Sequence, residues 1–275
     1  MEITDHFLSK ERFRLVYDQE TKAYKTAPAP SDLSKYYYTP NYFSHNNQGR
    51  SLAERLYALA KRFRNRQKWK LVTQEIKGSN RQISALDFGS GDGSFVASAP
   101  TTVHAIGVDP LSPKEATFKT LEEAKSENRR FDLITSWHSL EHTHNPKEVL
   151  SAMAELLKEE GLIHIAVPNH KSWDAKHYGD FWAGYDVPRH LWHFSEESFD
   201  ALAAQLGLEI VKTKPHWFDA FYVSYLSERY MGRSNPLLRG AYETLKALFA
   251  RKALKQPSAL YFQLKKAKQD AVAKL

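Results

Sequence analysis

The chain has 275 residues, 42% hydrophobic and 13% aromatic, with a formal net charge of +7 and no cysteine. This length and apolar content support a buried core and exclude wholesale disorder. Without cysteine there is no disulfide scaffold, thiolate nucleophile, iron–sulfur cluster or cysteine zinc site, and a reducing cytoplasmic location is expected. The longest apolar runs, such as Leu162–Val167, fall far short of the ~20 residues needed to cross a bilayer. The opening MEITDHFLSKERF reads as no secretory signal.

In chain order, residues 1–50 read as irregular, rich in Tyr, Pro and Asn. Ser51–Lys77 has helical spacing at Leu52, Leu56, Leu59 and Phe63, and Gly78-Ser79-Asn80 would end it. Seven basic residues lie between Arg55 and Lys70 with no acid among them. They read as a solvated face, with nucleic acid or an acidic membrane surface as weaker alternatives. The apolar residues Leu52, Leu56, Leu59 and Phe63 are expected to pack on the main domain. A second cluster, Lys265, Lys266 and Lys268, sits near the end.

Beyond residue 80 short apolar runs alternate with helical patterns. Ile83–Phe88, Val103–Val108, Phe131–Trp137 and Leu162–Val167 read as strands, with Pro146–Glu159 a helix that Gly161 would close. Ser195–Gly207 reads as a helix capped by Ser195, and Leu208–Thr213 as a fifth strand. Ser258–Leu264 could close the sheet. This alternation implies an α/β fold with a mostly parallel sheet covered on both faces. His170–Phe194 is aromatic without periodicity. Trp217–Phe249 is helical with a break at Gly232–Pro236, and would cap the site or form a dimer contact. The two are read as insertions at about 170–194 and 216–255, in a domain spanning 81–275 behind an extension over 1–80.

The most informative run is Leu86-Asp87-Phe88-Gly89-Ser90-Gly91-Asp92-Gly93-Ser94-Phe95, between a strand and a helix. Glycines let the backbone turn tightly and let a ligand approach. A dinucleotide fingerprint requires G-x-G-x-x-G, but the third position here is Ser94. A carboxylate at Asp92 would repel a pyrophosphate on the helix end. S-adenosylmethionine (SAM) carries no phosphate, and its cationic amino and sulfonium groups suit Asp87 and Asp92. Asp109, 18 residues past Gly91 at a strand end before Pro110, can take two ribose hydroxyls.

LDFGSGDGSF, IGVDP and FDLITSWHSLEHTHNP together resemble a class I SAM-dependent methyltransferase over about residues 83–214. The resemblance implies a Rossmann-like, seven-stranded, mostly parallel sheet with helices on both faces. It implies SAM as donor and S-adenosylhomocysteine (SAH) as product. Asp87, Gly89, Ser90, Gly91, Asp92 and Gly93 would surround the methionine part, Asp109 and Pro110 the ribose, and Trp137 and His138 the far side. The lead-in through YYYTPNYFSH is similar to that of a group of uncharacterised bacterial methyltransferases with a small zinc ribbon. The Cys-x-x-Cys positions of that ribbon fall on Asp18 and Thr21, so the extension is expected to be zinc-free.

Methyl transfer is an in-line displacement that needs alignment, exclusion of water and, for a hydroxyl acceptor, a base. His142 is the first candidate base and His190 the second, both in loops at carboxyl ends of strands. Glu141, His142 and His144 could suggest a metal, as in ubiquinone-pathway O-methyltransferases that resemble this segment. Ligands this close rarely all converge, and no metal is expected. Trp182, Tyr185 and His193 would build an aromatic acceptor pocket, and Arg189 would clamp an anionic acceptor or pair with Asp186. O-methylation of a small molecule (a sugar, a lipid-linked intermediate or a quinone precursor) is the favoured function. A nucleic-acid methyltransferase is disfavoured because Ser136-Trp137-His138-Ser139 stands where an Asn/Asp-Pro-Pro-Tyr/Phe motif would be. A non-catalytic SAM-binding module is the third alternative.

Overall fold

The computed structural model describes residues 1–37, 52–76, 81–110, 117–216, 220–254 and 256–267. The extension is not irregular. Strands β1 (Glu2–Thr4), β2 (Arg12–Asp18) and β3 (Ala23–Ala27) form an antiparallel meander. In β2, Phe13 and Leu15 point inward between exposed Arg12 and Arg14, the period-two pattern of a strand with one buried face. Asp18 accepts hydrogen bonds from the Thr21 N–H and hydroxyl, each at 3.0 Å, and so closes the hairpin between β2 and β3. A short helix α1 (Ser34–Tyr37) follows.

Helix α2 (Leu52–Thr73) is the basic helix. Its buried residues are Asn65, Lys68, Trp69 and Val72. Leu59 and Phe63, expected to pack inward, are 61% and 62% exposed. The reason is register. Asn65 donates to the Ser94 carbonyl at 3.1 Å and Trp69 to the Phe95 carbonyl at 2.9 Å, which turns the other face outward. Side chains of 51–57, including Leu52, Arg55 and Leu56, and residues 77–80 and 268–275 lie outside the described residues.

The main sheet contains β4 (Ile83–Phe88), β5 (Val103–Val108), β6 (Phe131–Trp137), β7 (Leu157–Pro168), β9 (Leu208–His216) and β10 (Ala259–Lys266). Their order is β5-β4-β6-β7-β10-β9, parallel from β5 to β7, with β10 antiparallel to both its neighbours. Six strands stand where seven were expected. At the β5 edge a single parallel bridge, Val108 to Phe118, is all that the described residues show of a further strand. Every residue of β6 except Trp137 is buried, as in a strand covered on both faces.

Helices α3 (Ser94–Ala97), α4 (Leu121–Ser126), α5 (Pro146–Leu156) and α7 (Glu196–Gln205) accompany the sheet. Asn145 caps α5 ahead of Pro146, and Ser195 and Ser198 form a capping box on α7. Gly161 does not end α5. The chain passes straight from Leu156 into β7, and a Cβ on Gly161 would meet Leu157 at 2.8 Å and the Phe131 carbonyl at 3.0 Å.

The aromatic segment folds into α6 (Trp173–Tyr178), two 3-10 turns (Gly179–Phe181 and Ala183–Tyr185) and β8 (Trp192–His193). Strand β8 pairs with β3, so this segment completes the extension's sheet. Helices α8 (Ala220–Tyr230) and α9 (Pro236–Leu254) follow β9 and break at the predicted Gly232–Pro236. No helix among the described residues is long and apolar enough to cross a membrane.

Candidate active site

Strands β5 and β6 flank β4 on opposite sides, so the chain order reverses at β4 and opens a crevice at its carboxyl end. The glycine loop sits there. Gly89, Gly91 and Gly93 have φ of +73°, +54° and +69°, which glycine adopts without the Cβ penalty. The Gly89 and Ser90 N–H groups donate to the Val108 carbonyl at 2.8 and 3.2 Å. A Cβ on Gly89 would strike Ser139 Oγ at 2.1 Å, whereas one on Gly91 would meet nothing within 4 Å. Gly91 therefore borders open space while its N–H donates to Asp109 Oδ2 at 2.8 Å. The loop and the acid from the next strand are in direct contact. Pro110, next in the chain, is exposed at the rim.

Asp87 is 3% exposed and accepts from Thr135 Oγ1 at 2.6 Å. Burial pushes its carboxyl up to about 7, against the opposing pull of Thr135 and of Lys68. A cationic partner would restore its charge. Asp92 is held by the Lys61 ammonium and accepts from the Ser94 N–H at 3.2 Å. Burial raises its pKa, but the Lys61 and Ser94 hydrogen bonds carry the net below the usual carboxylate range. Lys68, 8% exposed, lies 4.4 Å above the Trp137 ring. Lys61 thus turns onto the loop and Lys68 onto Trp137, instead of into solvent.

The Trp137 indole Nε1 is buried without a hydrogen-bond partner. His138 has φ +55°, a left-handed conformation that costs a non-glycine residue about 1–3 kcal/mol, and its N–H donates to the Ala166 carbonyl at 2.9 Å. Its Nδ1 lies 3.3 Å from the Glu141 carboxylate, which is fully buried. Burial raises the Glu141 pKa, and the neighbouring His138 is the largest of the opposing pulls that bring it below the usual carboxylate range.

His142 Nδ1 lies 2.9 Å from both the Arg189 carbonyl and the Tyr37 hydroxyl. A carbonyl can only accept, so Nδ1 carries the proton and Nε2 is the basic nitrogen. The His190 ring stands edge-on 4.6 Å away, with Nδ1 3.0 Å from the Gly184 carbonyl. Burial pushes its pKa down to about 4, so His190 stays neutral at pH 7. Glu141, His142 and His190 bring one ligand atom each within 4.8 Å of one another, a spacing open to a metal ion. His144 is exposed, and only its carbonyl is engaged, by Trp192 at 3.2 Å.

The residues expected to bind acceptor sit elsewhere. Arg189 is 0% exposed and donates to Asp5 at 2.9 Å and to Asp186 at 2.7 Å. It is a buried ion-pair centre joining the extension to the aromatic segment, not a clamp for an acceptor. Trp182 donates to Asp174 at 2.9 Å, Tyr185 packs with Ile3 and Val187, and His193 lies 3.0 Å from the Thr26 hydroxyl. All three are at most 5% exposed. The cavity beside Trp182, Tyr185 and Arg189 holds only about 10 Å³, too small for an acceptor.

A larger cleft of about 340 Å³ lies between α2 and the β9–β10 edge, lined by Gln67, Lys70, Lys214, His216 and Tyr261 among others. His216 and Tyr261 place their rings 5.6 and 6.1 Å from Trp137. The volume falls in the small-molecule range of roughly 300–1,000 Å³. Sequence reasoning missed this lining, because the only signal was polar residues on two strands not yet known to be neighbours.

A family model for a methyltransferase domain matches residues 46–213, well over half the chain, and the chain belongs to that family. It is a class I SAM-dependent methyltransferase. No curated protein matches it in sequence. Among solved structures it is similar to a protein assigned as a sarcosine dimethylglycine methyltransferase from Galdieria sulphuraria, at 15% identity and a TM-score of 0.51, covering 78% of this chain and 88% of that one. It is also similar to coclaurine N-methyltransferase bound to N-methylheliamine and SAH (15% identity, TM-score 0.49, 88% and 83% covered). The plantazolicin methyltransferase BamL, in complex with an analogue and SAH, gives 16% identity and a TM-score of 0.49, with 82% and 93% covered. At these identities the likeness concerns the fold.

The crevice fits SAM. Gly91 offers open space at the loop and Asp87 a buried carboxyl at the end of β4, and Trp137 at the end of β6 keeps an unpartnered Nε1 donor.

Proposed function

We propose that this enzyme methylates a hydroxyl group of a small-molecule acceptor, with His142 as general base. SAM, when bound, supplies an electrophilic methyl group on a sulfonium. Asp87 and the Gly89–Gly93 loop would hold its amino-acid end, Asp109 its ribose, and Trp137 and His138 the side toward the acceptor. Asp92, already tied to Lys61, would act by fixing the loop.

The carrying observation is the anchoring of His142 Nδ1 on the Arg189 carbonyl at 2.9 Å. It fixes the tautomer whose Nε2 accepts a proton. Glu141 lies beside the ring, and an imidazolium formed there gains a buried counter-charge. The inward turn of Lys61 and Lys68 weighs against the nucleic-acid alternative, since they engage Asp92 and the Trp137 ring instead of a phosphate backbone.

His142→Gln is expected to lower kcat by about 10²–10⁴-fold with SAH affinity unchanged. Retained turnover, or methylation of amines alone in an acceptor screen, would overturn the proposal. SAH binding with no turnover on any acceptor would favour the non-catalytic alternative. A second reading rests on the convergence of Glu141, His142 and His190. If these three hold a divalent cation, chelation abolishes turnover and Mn²⁺ or Zn²⁺ restores it, whereas a pure base mechanism is indifferent to chelator.

A further inference from the structure

We propose that the α8–α9 pair docks this protein on an anionic membrane surface. Helix α9 is amphipathic the wrong way round for a soluble domain. Its inward positions are Gly240, Glu243 and Ala247, all buried. Gly240 lies so close to α8 that a Cβ would meet the Tyr225 backbone at 2.8 Å. Its outward positions are Leu238, Tyr242, Leu245 and Phe249, exposed by 71%, 58%, 55% and 72%. Their spacing of four, three and four residues makes one stripe about 16 Å long at 1.5 Å per residue. Phe221 on α8 adds 43% exposure at the start of the pair. Water penalises such a face, and burying its large side chains is favourable.

Charge selects the partner. Residues 220–255 contain seven basic residues and two acids. Both acids, Glu228 and Glu243, are buried, at 0% and 7% exposure. Arg229 and Arg239 are exposed, Lys246 lies 4.4 Å above the Tyr242 ring and pairs with Glu243 at 3.1 Å, and the sequence continues with Arg251, Lys252 and Lys255. A second copy of this face would set cations against cations. An anionic lipid surface complements both the cations and the stripe, as for interfacial amphipathic helices.

The test is flotation or co-sedimentation of the full chain with vesicles of phosphatidylcholine alone or mixed with phosphatidylglycerol. Binding is expected to the mixed vesicles, to weaken in high salt, and to fall at least about tenfold in Leu238→Asp/Leu245→Asp. Both positions are on the surface, and an unchanged thermal midpoint would confirm that the variant folds. Absence of binding to anionic vesicles, or binding unaffected by the double substitution, overturns the proposal. So does a dimer in sedimentation velocity that the same substitutions dissolve, which would assign the stripe to a second copy. SAH affinity is unaffected in every case, so failure here leaves the methyltransferase reading intact.

Discussion

The parallel half of the molecule and the extension's antiparallel sheet are stabilised by opposite means. In β4, β5 and β6 the chain is mostly apolar and buried, and Asp87 and Asp109 stand at the carboxyl ends of β4 and β5, where the crevice opens. The four-stranded sheet β1-β2-β3-β8 is short, and beside its apolar cluster of Ile3, Phe13 and Leu15 it carries a charge network. Arg189 meets Asp5 and Asp186, and Asp180 receives the Thr4 N–H at 2.6 Å and the Thr4 hydroxyl at 3.1 Å. The comparison teaches that polar residues at strand ends mark the site in one half, and the same residue types serve as structural ties in the other.

The largest expected effect sharpens this contrast. Arg189→Met leaves two acids in the interior without their cation and is expected to cost about 3–5 kcal/mol, read as a fall in the urea midpoint. Little change would mean that the network is dispensable. In the parallel half, Asp109→Ala removes the acceptor of the Gly91 N–H. It is expected to weaken SAH by roughly 10–100-fold in calorimetric titration, with stability nearly unchanged.

Acid stability separates the halves further. Burial pushes His164 to about 3, His170 and His190 to about 4, and His193 well below its usual range. An unfolded histidine titrates near 6.5. Between these values the unfolded chain binds more protons, so stability is present above about pH 6.5 and is lost as pH falls toward 4. Urea unfolding at pH 7.5 and 5 would read it. Three of these four histidines lie in the aromatic segment, so its contacts with the extension are expected to loosen first, visible by hydrogen exchange.

The smallest effect concerns Asp87, raised to about 7. The carboxylate form favours a cationic amino group, so SAH affinity is expected to rise several-fold between pH 6 and 8. Asp87→Asn would flatten that slope, and a slope that persists in the variant would assign it to another group.

The parallel strands, α5, α7 and the glycine loop were legible because each carries a local signal: an apolar run, a cap, or three glycines in five positions. The extension was less legible. Its signal, Phe13 and Leu15 alternating with Arg12 and Arg14, spans few residues and its partner β8 lies more than 160 positions away. Glu141 was visible beside His142. Its contact with His138, and the arrival of His190 in place of His144, depend on how a 3-10 turn over Leu140–His142 meets a distant segment.

The sequence alone determined the α/β class, the glycine loop after β4 and the acid at the end of β5, because glycine geometry and strand periodicity act over a few neighbouring residues. Only the tertiary structure decided that Arg189 is buried between two carboxylates and that α2 turns Lys61 to Asp92 and Lys68 to Trp137. It also turned the apolar stripe of α9 outward. Those outcomes depend on which side chains desolvate against which, and desolvation is a property of the packed chain.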